Sequence, residues 1–447
     1  MEIIKDRTLK SYINNYSLHC KDNLKKFIIK NPLNLSVQSL SRISELVNNR
    51  RSETSAYYTD EETLKLIYDS LPDFEKSSIT ILEPSVGVGN FLEILIKKYS
   101  HLDSVKIDVI DLDSESIELC KLLNEYRDIP DNIDINYIVY DYLLDNVIGT
   151  YDLVIGNPPF SKLNKDMPVD FYRNIFNDNV SKNLSSFFLQ KALNEAKNVV
   201  MILPKYFLSN SDFRLARDIA NKYEIERIID FGEKGFKGVL IETIALFINT
   251  QKERSKTVSY SVTKNITNVQ PQKKLTDNNF PNWLLYRNQF FEDIASKMNM
   301  GVFKVYRDRS ITNAKLNKES GIRVLKSRNI ERNGTKILDI ENYDSYIEED
   351  TLKNLGVNKY RYRTDVFLSP NMTYYPRIIR KPDDCVVNGS VAILENIKNV
   401  EIKQEHLDFI NSSDFEEFYK IARNHSTRSL NIDQNSVKYF GLIKIGD

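Results

Sequence analysis

Asn157, Pro158, Pro159 and Phe160 are the residues of this chain whose types and spacing are best suited to chemistry. The two prolines fix φ at successive positions and delete two backbone N–H groups. Asn157, standing before a proline, is driven to an extended conformation. The stretch therefore offers two acceptors, the Asn157 side-chain oxygen and the Pro158 carbonyl, with no competing donor between them. An aromatic face follows at Phe160. Such a loop can hold a planar group that bears an amine. Asn-Pro-Pro is also an ordinary turn, so its meaning depends on the elements around it.

The apolar run Leu153 to Ile155 predicts a buried parallel strand that delivers this loop at its carboxyl end. Upstream, Ser78 to Leu82 predicts a strand, followed by Glu83-Pro84-Ser85-Val86-Gly87-Val88-Gly89 and a helix to about Lys98. Strand, glycine turn and helix make a nucleotide-binding βα unit. Gly87 and Gly89 let the backbone turn sharply and approach a ligand. Leu92 stands where a dinucleotide fingerprint has its third glycine, and no Gly-Lys-Ser/Thr follows, so this is not a phosphate loop. Val105 to Ile110 is the next strand, ending in Asp111-Leu112-Asp113. Asp111 is placed to accept from ribose hydroxyls, whereas helix capping suits Asp113 better. Ile135 to Val139 ends in Tyr140-Asp141-Tyr142, where Asp141 could accept from an adenine amino group.

Further strands are predicted over 199–203, 227–231 and 243–248, with a helix from Ser185 to Ala196. The polar stretch 162–183 reads as a mobile loop over the site. Seven strands, mostly separated by helical patterns, predict a doubly wound α/β domain over residues 51–250. Residues 1–50 read as a helical extension packed on it. Thr59 is placed as a helix N-cap with Glu62 as its capping-box partner. Residues 251–280 are polar, contain Pro271 and read as a linker. Residues 281–447 lose the βα alternation and predict a second, α+β domain.

Composition narrows the class. Three cysteines and four histidines are scattered through 447 residues, which suggests neither a disulfide framework nor a metal site. The charged start is no signal peptide, and no apolar run reaches membrane-spanning length; a cytoplasmic location is expected. Lys+Arg and Asp+Glu are both 62, but the balance hides segregation. Lys297 to Leu338 holds 11 Lys/Arg against 3 Asp/Glu, and Lys353 to Lys381 holds 7 against 1, with the acidic stretch 339–350 between them. Basic clusters interleaved with Tyr360, Tyr362, Tyr374 and Tyr375 point toward nucleic acid.

Taken together, these motifs resemble the N6-adenine DNA methyltransferases that use S-adenosyl-L-methionine. The glycine loop precedes Asn-Pro-Pro-Phe and the basic domain comes last, which is similar to the gamma arrangement of type II restriction-modification enzymes. The likeness is close over residues 50–250. It implies a Rossmann-like, seven-stranded methyltransferase domain with a carboxy-terminal α+β target-recognition domain over 281–447. It implies that Thr59 contacts the cofactor's methionine carboxylate and that Glu83, Gly87 and Gly89 line its methionine and ribose portions. Asp111 would take the ribose hydroxyls, Leu112 would pack on the adenine, and Asp141 would accept from its amino group with the Tyr142 backbone beside it. Phe188 resembles the aromatic wall of that pocket, although Phe187 competes for the register. Asn157, Pro158 and Phe160 would act on the target amine, with Phe160 and Phe236 stacking on the extruded base.

Arg323, Arg328, Arg361, Arg363 and Arg377 are the expected DNA contacts. The expected partners are double-stranded DNA and a cognate endonuclease encoded separately, with the enzyme itself a monomer. No Pro-Cys pair is present, which argues against the thiolate mechanism of cytosine-C5 methylation. Pro72-Asp73 lies too close to Glu75-Lys76 for a split nuclease site, so methylation without cleavage is expected. RNA or a protein glutamine as substrate, and a non-catalytic DNA-binding subunit, remain the alternatives.

Overall fold

The computed structural model describes residues 4–47, 61–144, 150–235, 241–373, 375–426 and 430–444. It divides into two compact units, residues 1–276 and 277–447.

The first unit is organised by the carboxyl ends of its strands. Three amphipathic helices open the chain: α1 (Asp6–Asn15), α2 (Lys21–Lys30) and α3 (Val37–Val47). After α4 (Glu61–Tyr68) the alternation begins with β1 (Ser78–Glu83), α5 (Asn90–Tyr99), β2 (Ser104–Asp111), α6 (Ser114–Asn124), β3 (Ile133–Val139) and β4 (Tyr151–Gly156). It continues with α7 (Val169–Phe176), α8 (Leu184–Glu195), β5 (Ala196–Pro204), α9 (Arg214–Ala220), β6 (Glu224–Gly232) and β7 (Thr243–Asn249). Then come β8 (Lys256–Ser261) and β9 (Ile266–Pro271). The nine strands lie in the order β3-β2-β1-β4-β5-β7-β6-β8-β9. The pairs among β3, β2, β1, β4 and β5 are parallel, and β7 runs antiparallel to both β5 and β6. Order therefore reverses between β1 and β4, and ligands of open α/β sheets bind at such a switch point. Strand β4 is apolar and buried along its whole length, as expected of a parallel strand covered on both faces.

Two expectations change here. Residues 251–280 are not a linker. They form β8, parallel to β6, and β9, antiparallel to β8, so the unit extends to Thr276 rather than closing near Asn249. Their polarity misled because the buried positions of β8 are Thr257, Ser259 and Ser261 rather than large apolar residues. The stretch 162–183 is not bare loop either, since it contains α7. The amino-terminal helices do pack on the sheet domain: Leu9, Ile13, Leu24, Phe27, Leu40 and Ile43 share a core with Val88, Leu119 and Leu123. Lys25 pairs with Glu118 at 2.6 Å, and the Asn90 amide donates to Glu45 at 2.6 Å.

The second unit is α+β. One sheet joins Phe303–Tyr306, Val391–Asn396, Phe367–Pro370 and Ile379–Arg380, and another joins Tyr346–Ile347, Ile322–Leu325 and Cys385–Val387. Helices Gln404–Ile410 and Ser413–Ala422 pack on the first sheet through Leu407, Ile410, Phe415 and Phe418.

Candidate active site

β1 and β4 pair in parallel with Ile81 opposite Leu153 and Leu82 opposite Val154. This register sets Glu83-Pro84 beside Ile155-Gly156, so the glycine loop and the Asn157–Phe160 loop leave adjacent strands on the same edge. The fit is close: a Cβ on Gly156 would press on the Pro84 ring at 3.3 and 3.4 Å. Asn157 is half-buried and Pro158 is buried. Phe160 is only 4% exposed and belongs to the core with Val200, Ile202 and Phe231.

Asp111 ties the glycine loop to β2. Its carboxylate accepts from the Gly87 N–H and from the Asp113 N–H, both at 2.9 Å. Each oxygen keeps a second lone pair for a hydroxyl donor. Burial raises the Asp111 pKa against the lowering effect of the Asp113 and Gly87 N–H groups. Asp113 caps α6, accepting from the Glu115 N–H, as its position predicts. The two glycines differ in what they make room for. Gly87, at φ +54°, faces open space, so its missing side chain leaves a cradle. At Gly89, φ +82°, a Cβ would stand 2.8 Å from Cys120 Sγ and 2.9 Å from Leu92 Cδ1, so helix packing explains that glycine.

Glu83 is 1% exposed, and its Oε2 has no hydrogen-bond partner among the described residues. Burial pushes its carboxyl well above the ordinary carboxylate range; the Arg127 guanidinium opposes this and Asp111 reinforces it. A buried polar atom without a partner among the described residues is one place where a ligand donor would be satisfied.

The surface beside the glycine loop is apolar and exposed. Leu112 is 72% exposed, and Val139 and Tyr140 are exposed beside it at the ends of β2 and β3; Asp111 pairs with Val139, and the Tyr140 N–H donates to the Asp111 carbonyl at 3.0 Å. Exposed apolar side chains at the mouth of a cleft suit a flat ring. Asp141 follows, accepting from the Leu143 N–H at 3.0 Å and from the Tyr172 hydroxyl at 2.8 Å. Tyr142 packs on Phe188 with ring centroids 5.3 Å apart, whereas Phe187 faces Phe176 and Tyr172. Phe188 is thus the aromatic on the Tyr142 side. Lys191, one turn on, donates to the Tyr142 carbonyl at 2.5 Å and lies 4.4 Å from its ring centre, while the Tyr142 hydroxyl donates to Glu195 at 3.0 Å.

The structure therefore gathers Glu83, Gly87, Asp111, Leu112, Asp141, Tyr142 and Phe188 along one edge of the sheet, next to Asn157, Pro158 and Phe160. Thr59 and Phe236 lie outside the described residues. Tyr172, Asn183 and Lys191 went unnoticed in sequence because an isolated polar or aromatic residue on a helix carries no local signal.

The expected DNA-contacting arginines in the second unit fall into two groups. Arg323 pairs with Asp339 (2.7 Å) and Asp344 (3.1 Å), Arg361 with Asp384 (2.6 Å) and Glu349 (3.1 Å), and Arg363 with Asp365 (2.5 Å) and Glu395 (3.2 Å). These three are ion-paired, and the acidic stretch 339–350 supplies partners to Arg323 and Arg361. Arg377 donates to the carbonyls of Ile330, Ser327 and Tyr375. Arg328 is exposed over the Tyr343 ring at 4.7 Å, and Arg332, which the sequence did not single out, is exposed over Tyr375 at 3.9 Å.

The strand order and the loops at its switch point define a Rossmann-like domain of the kind found in S-adenosylmethionine-dependent methyltransferases. The chain belongs to the N-6 DNA methylase family, which matches residues 42–305. It is similar to the type II methyltransferase M.AccI of Acinetobacter calcoaceticus, 27% identical over 218 residues that cover 46% of this chain and 38% of that protein. It is also similar to the type II methyltransferase M.CvrRI of Paramecium bursaria Chlorella virus XZ-6E, 29% identical over 125 residues, 28% of each. The matches thus span well under half the length of these curated relatives. Among solved structures, a methyltransferase subunit of a type I restriction-modification system from Streptococcus thermophilus aligns with a TM-score of 0.39 and 17% identity, over 51% of this chain and 52% of that one. No helix of the described residues is long and apolar enough to cross a membrane.

Proposed function

We propose that this chain is a site-specific DNA methyltransferase that transfers a methyl group from S-adenosyl-L-methionine to the N6 amino group of adenine in double-stranded DNA, as the modification component of a restriction-modification system. The observation that carries this reading is the Asn157–Phe160 loop at the end of β4, packed against the glycine-loop strand through Gly156 and Pro84.

The pocket residues fit the cofactor. The buried Glu83 Oε2, which has no hydrogen bond among the described residues, suits the cofactor's ammonium, and the open space at Gly87 gives room for close backbone approach. Asp111 suits the ribose hydroxyls, Leu112 with Val139 the adenine face, and Asp141 the adenine amine. When bound, the cofactor supplies an electrophilic methyl group on a sulfonium. Asn157 Oδ1 and the Pro158 carbonyl would accept hydrogen bonds from both N–H groups of the target amine. That draws the nitrogen out of conjugation with its ring and directs its lone pair at the methyl group, so catalysis is chiefly orientation. Because the amine is paired inside a duplex, the base must leave the stack to reach the loop. Stacking on Phe160 and Phe236 would replace part of what is lost, at about 1–3 kcal/mol per base.

The second unit is the proposed DNA-docking part. Arg328 and Arg332, stacked on tyrosines with no carboxylate shown beside them among the described residues, suit phosphate contacts better than the ion-paired Arg323, Arg361 and Arg363. Long-read sequencing of DNA from cells expressing the protein tests the whole reading. N6-methyladenine in one fixed sequence context is expected, and no modified adenine in any context would refute it.

A further inference from the structure

One side chain joins the catalytic loop to the pocket helix. Asn183 is 3% exposed, and its amide is used in both directions. Nδ2 donates to the Phe160 carbonyl at 2.8 Å. Oδ1 accepts from the Ser185 N–H at 3.1 Å and the Ser185 hydroxyl at 2.6 Å, which caps α8. The first bond grips the last residue of the Asn157–Phe160 loop. The others fix the start of the helix that carries Phe188 and Lys191. The backbone closes at the same place: Lys162 bridges Asn183, the Leu163 N–H donates to the Lys182 carbonyl at 2.9 Å, and the Leu184 N–H donates to the Ser161 carbonyl at 3.0 Å. Residues 164–181, with α7, leave and return through this clasp. They meet the pocket again where the Tyr172 hydroxyl donates to Asp141.

An N-cap needs only an acceptor, and Ser, Thr or Asp would serve as well as Asn. The donor half of the amide is therefore surplus to helix capping. It points at the main chain of the loop that must present the Asn157 and Pro158 oxygens.

We propose that Asn183 is a positioning residue for methyl transfer: its amide sets the Asn157–Phe160 loop against the amino end of α8, so that the target amine and the cofactor pocket are held in register. This inference rests on the reading of Asn157–Phe160 as the target-amine site. A displacement of about 1 Å between reacting groups can cost about 100-fold in rate.

Asn183→Ser keeps a capping oxygen and withdraws the donor from Phe160. Asn183→Asp keeps the cap and turns an oxygen toward the Phe160 carbonyl. Single-turnover methylation of DNA by the 447-residue chain and S-adenosyl-L-methionine affinity by calorimetry separate the roles. In both variants the transfer rate is expected to fall by about 100-fold, with cofactor Kd within about threefold of the wild type because α8 stays capped. A transfer rate near wild type in Asn183→Ser would overturn the proposal. So would equal losses of rate and cofactor affinity, or failure of both variants to fold, since each marks a structural cap only. A wild-type protein that binds the cofactor but transfers nothing to DNA would instead overturn the reading of the target site, and this inference with it.

Discussion

At the scale of single residues, the site combines the Asn157–Phe160 loop with a buried carboxylate whose Oε2 has no hydrogen bond among the described residues. Glu83 carries the clearest consequence. Its carboxyl is held well above the ordinary range, first by burial, with Arg127 lowering it and Asp111 raising it. A folded-state pKa above the unfolded value means that the folded, ligand-free chain binds this proton more tightly than the unfolded chain does. The group therefore destabilises the fold at pH above its raised pKa, and that penalty fades as pH falls toward the ordinary carboxylate range. Glu83→Gln removes the ionisation. Its Tm in the absence of cofactor should exceed the wild-type value by a few degrees at pH 8, with the advantage shrinking by pH 5. Its cofactor affinity at pH 8 should fall about tenfold, a charge-assisted bond having become a neutral one. Differential scanning calorimetry and isothermal titration measure the two effects; an unchanged affinity would remove Glu83 from the cofactor site. Asn157, Glu83 and Asp111 were legible in sequence because each sits at the end of an apolar strand, where a polar residue has few other reasons to be. Asn183 was not: a lone asparagine in a polar stretch gives no sign that its amide will be buried and bonded on both sides.

At the scale of elements, the turn from β1 into α5 separates binding from packing. A side chain at Gly87 would enter open space, and one at Gly89 would strike Cys120 and Leu92. Both lie in the left-handed region, so alanine costs about 1–2 kcal/mol of backbone strain at either. Gly89→Ala adds overpacking, typically about 1–3 kcal/mol. Gly89→Ala should therefore lower the denaturation midpoint more than Gly87→Ala, while Gly87→Ala should weaken cofactor binding out of proportion to its stability loss. Urea titration and calorimetry on the same two variants check the crossing; the same ranking in both measurements would mean that Gly87 faces no ligand. The seven strands from β1 to β7 were legible from their apolar runs. Strands β8 and β9 were not, because small polar residues fill the inward positions of β8 and β9 lies at the sheet's edge.

At the scale of the whole molecule, zero net charge and a second unit with 26 Lys/Arg against 24 Asp/Glu make DNA affinity a matter of local clusters. Sequence counting marked the clusters but could not see that Asp384, Glu349 and Glu395 would fold onto Arg361 and Arg363, since those partners are set by tertiary structure. Replacing Arg328 and Arg332 together by glutamine should therefore flatten the dependence of log K on log salt by about 2, as two phosphate contacts are lost. The same change at Arg361 and Arg363 should chiefly lower stability. Filter binding over a salt series decides between them, and equal slopes in both pairs would deny the exposed arginines a phosphate role. The central claim is that the Asn157–Phe160 loop directs a methyl group onto the N6 nitrogen of adenine, and nucleoside mass spectrometry tests it most directly. Purified protein, S-adenosyl-L-methionine with a labelled methyl group and unmodified double-stranded DNA should yield labelled N6-methyl-2′-deoxyadenosine, reduced at least about 100-fold in Asn157→Ala with cofactor affinity retained. Label in N4-methylcytosine, in RNA or protein only, or undiminished in Asn157→Ala would contradict it.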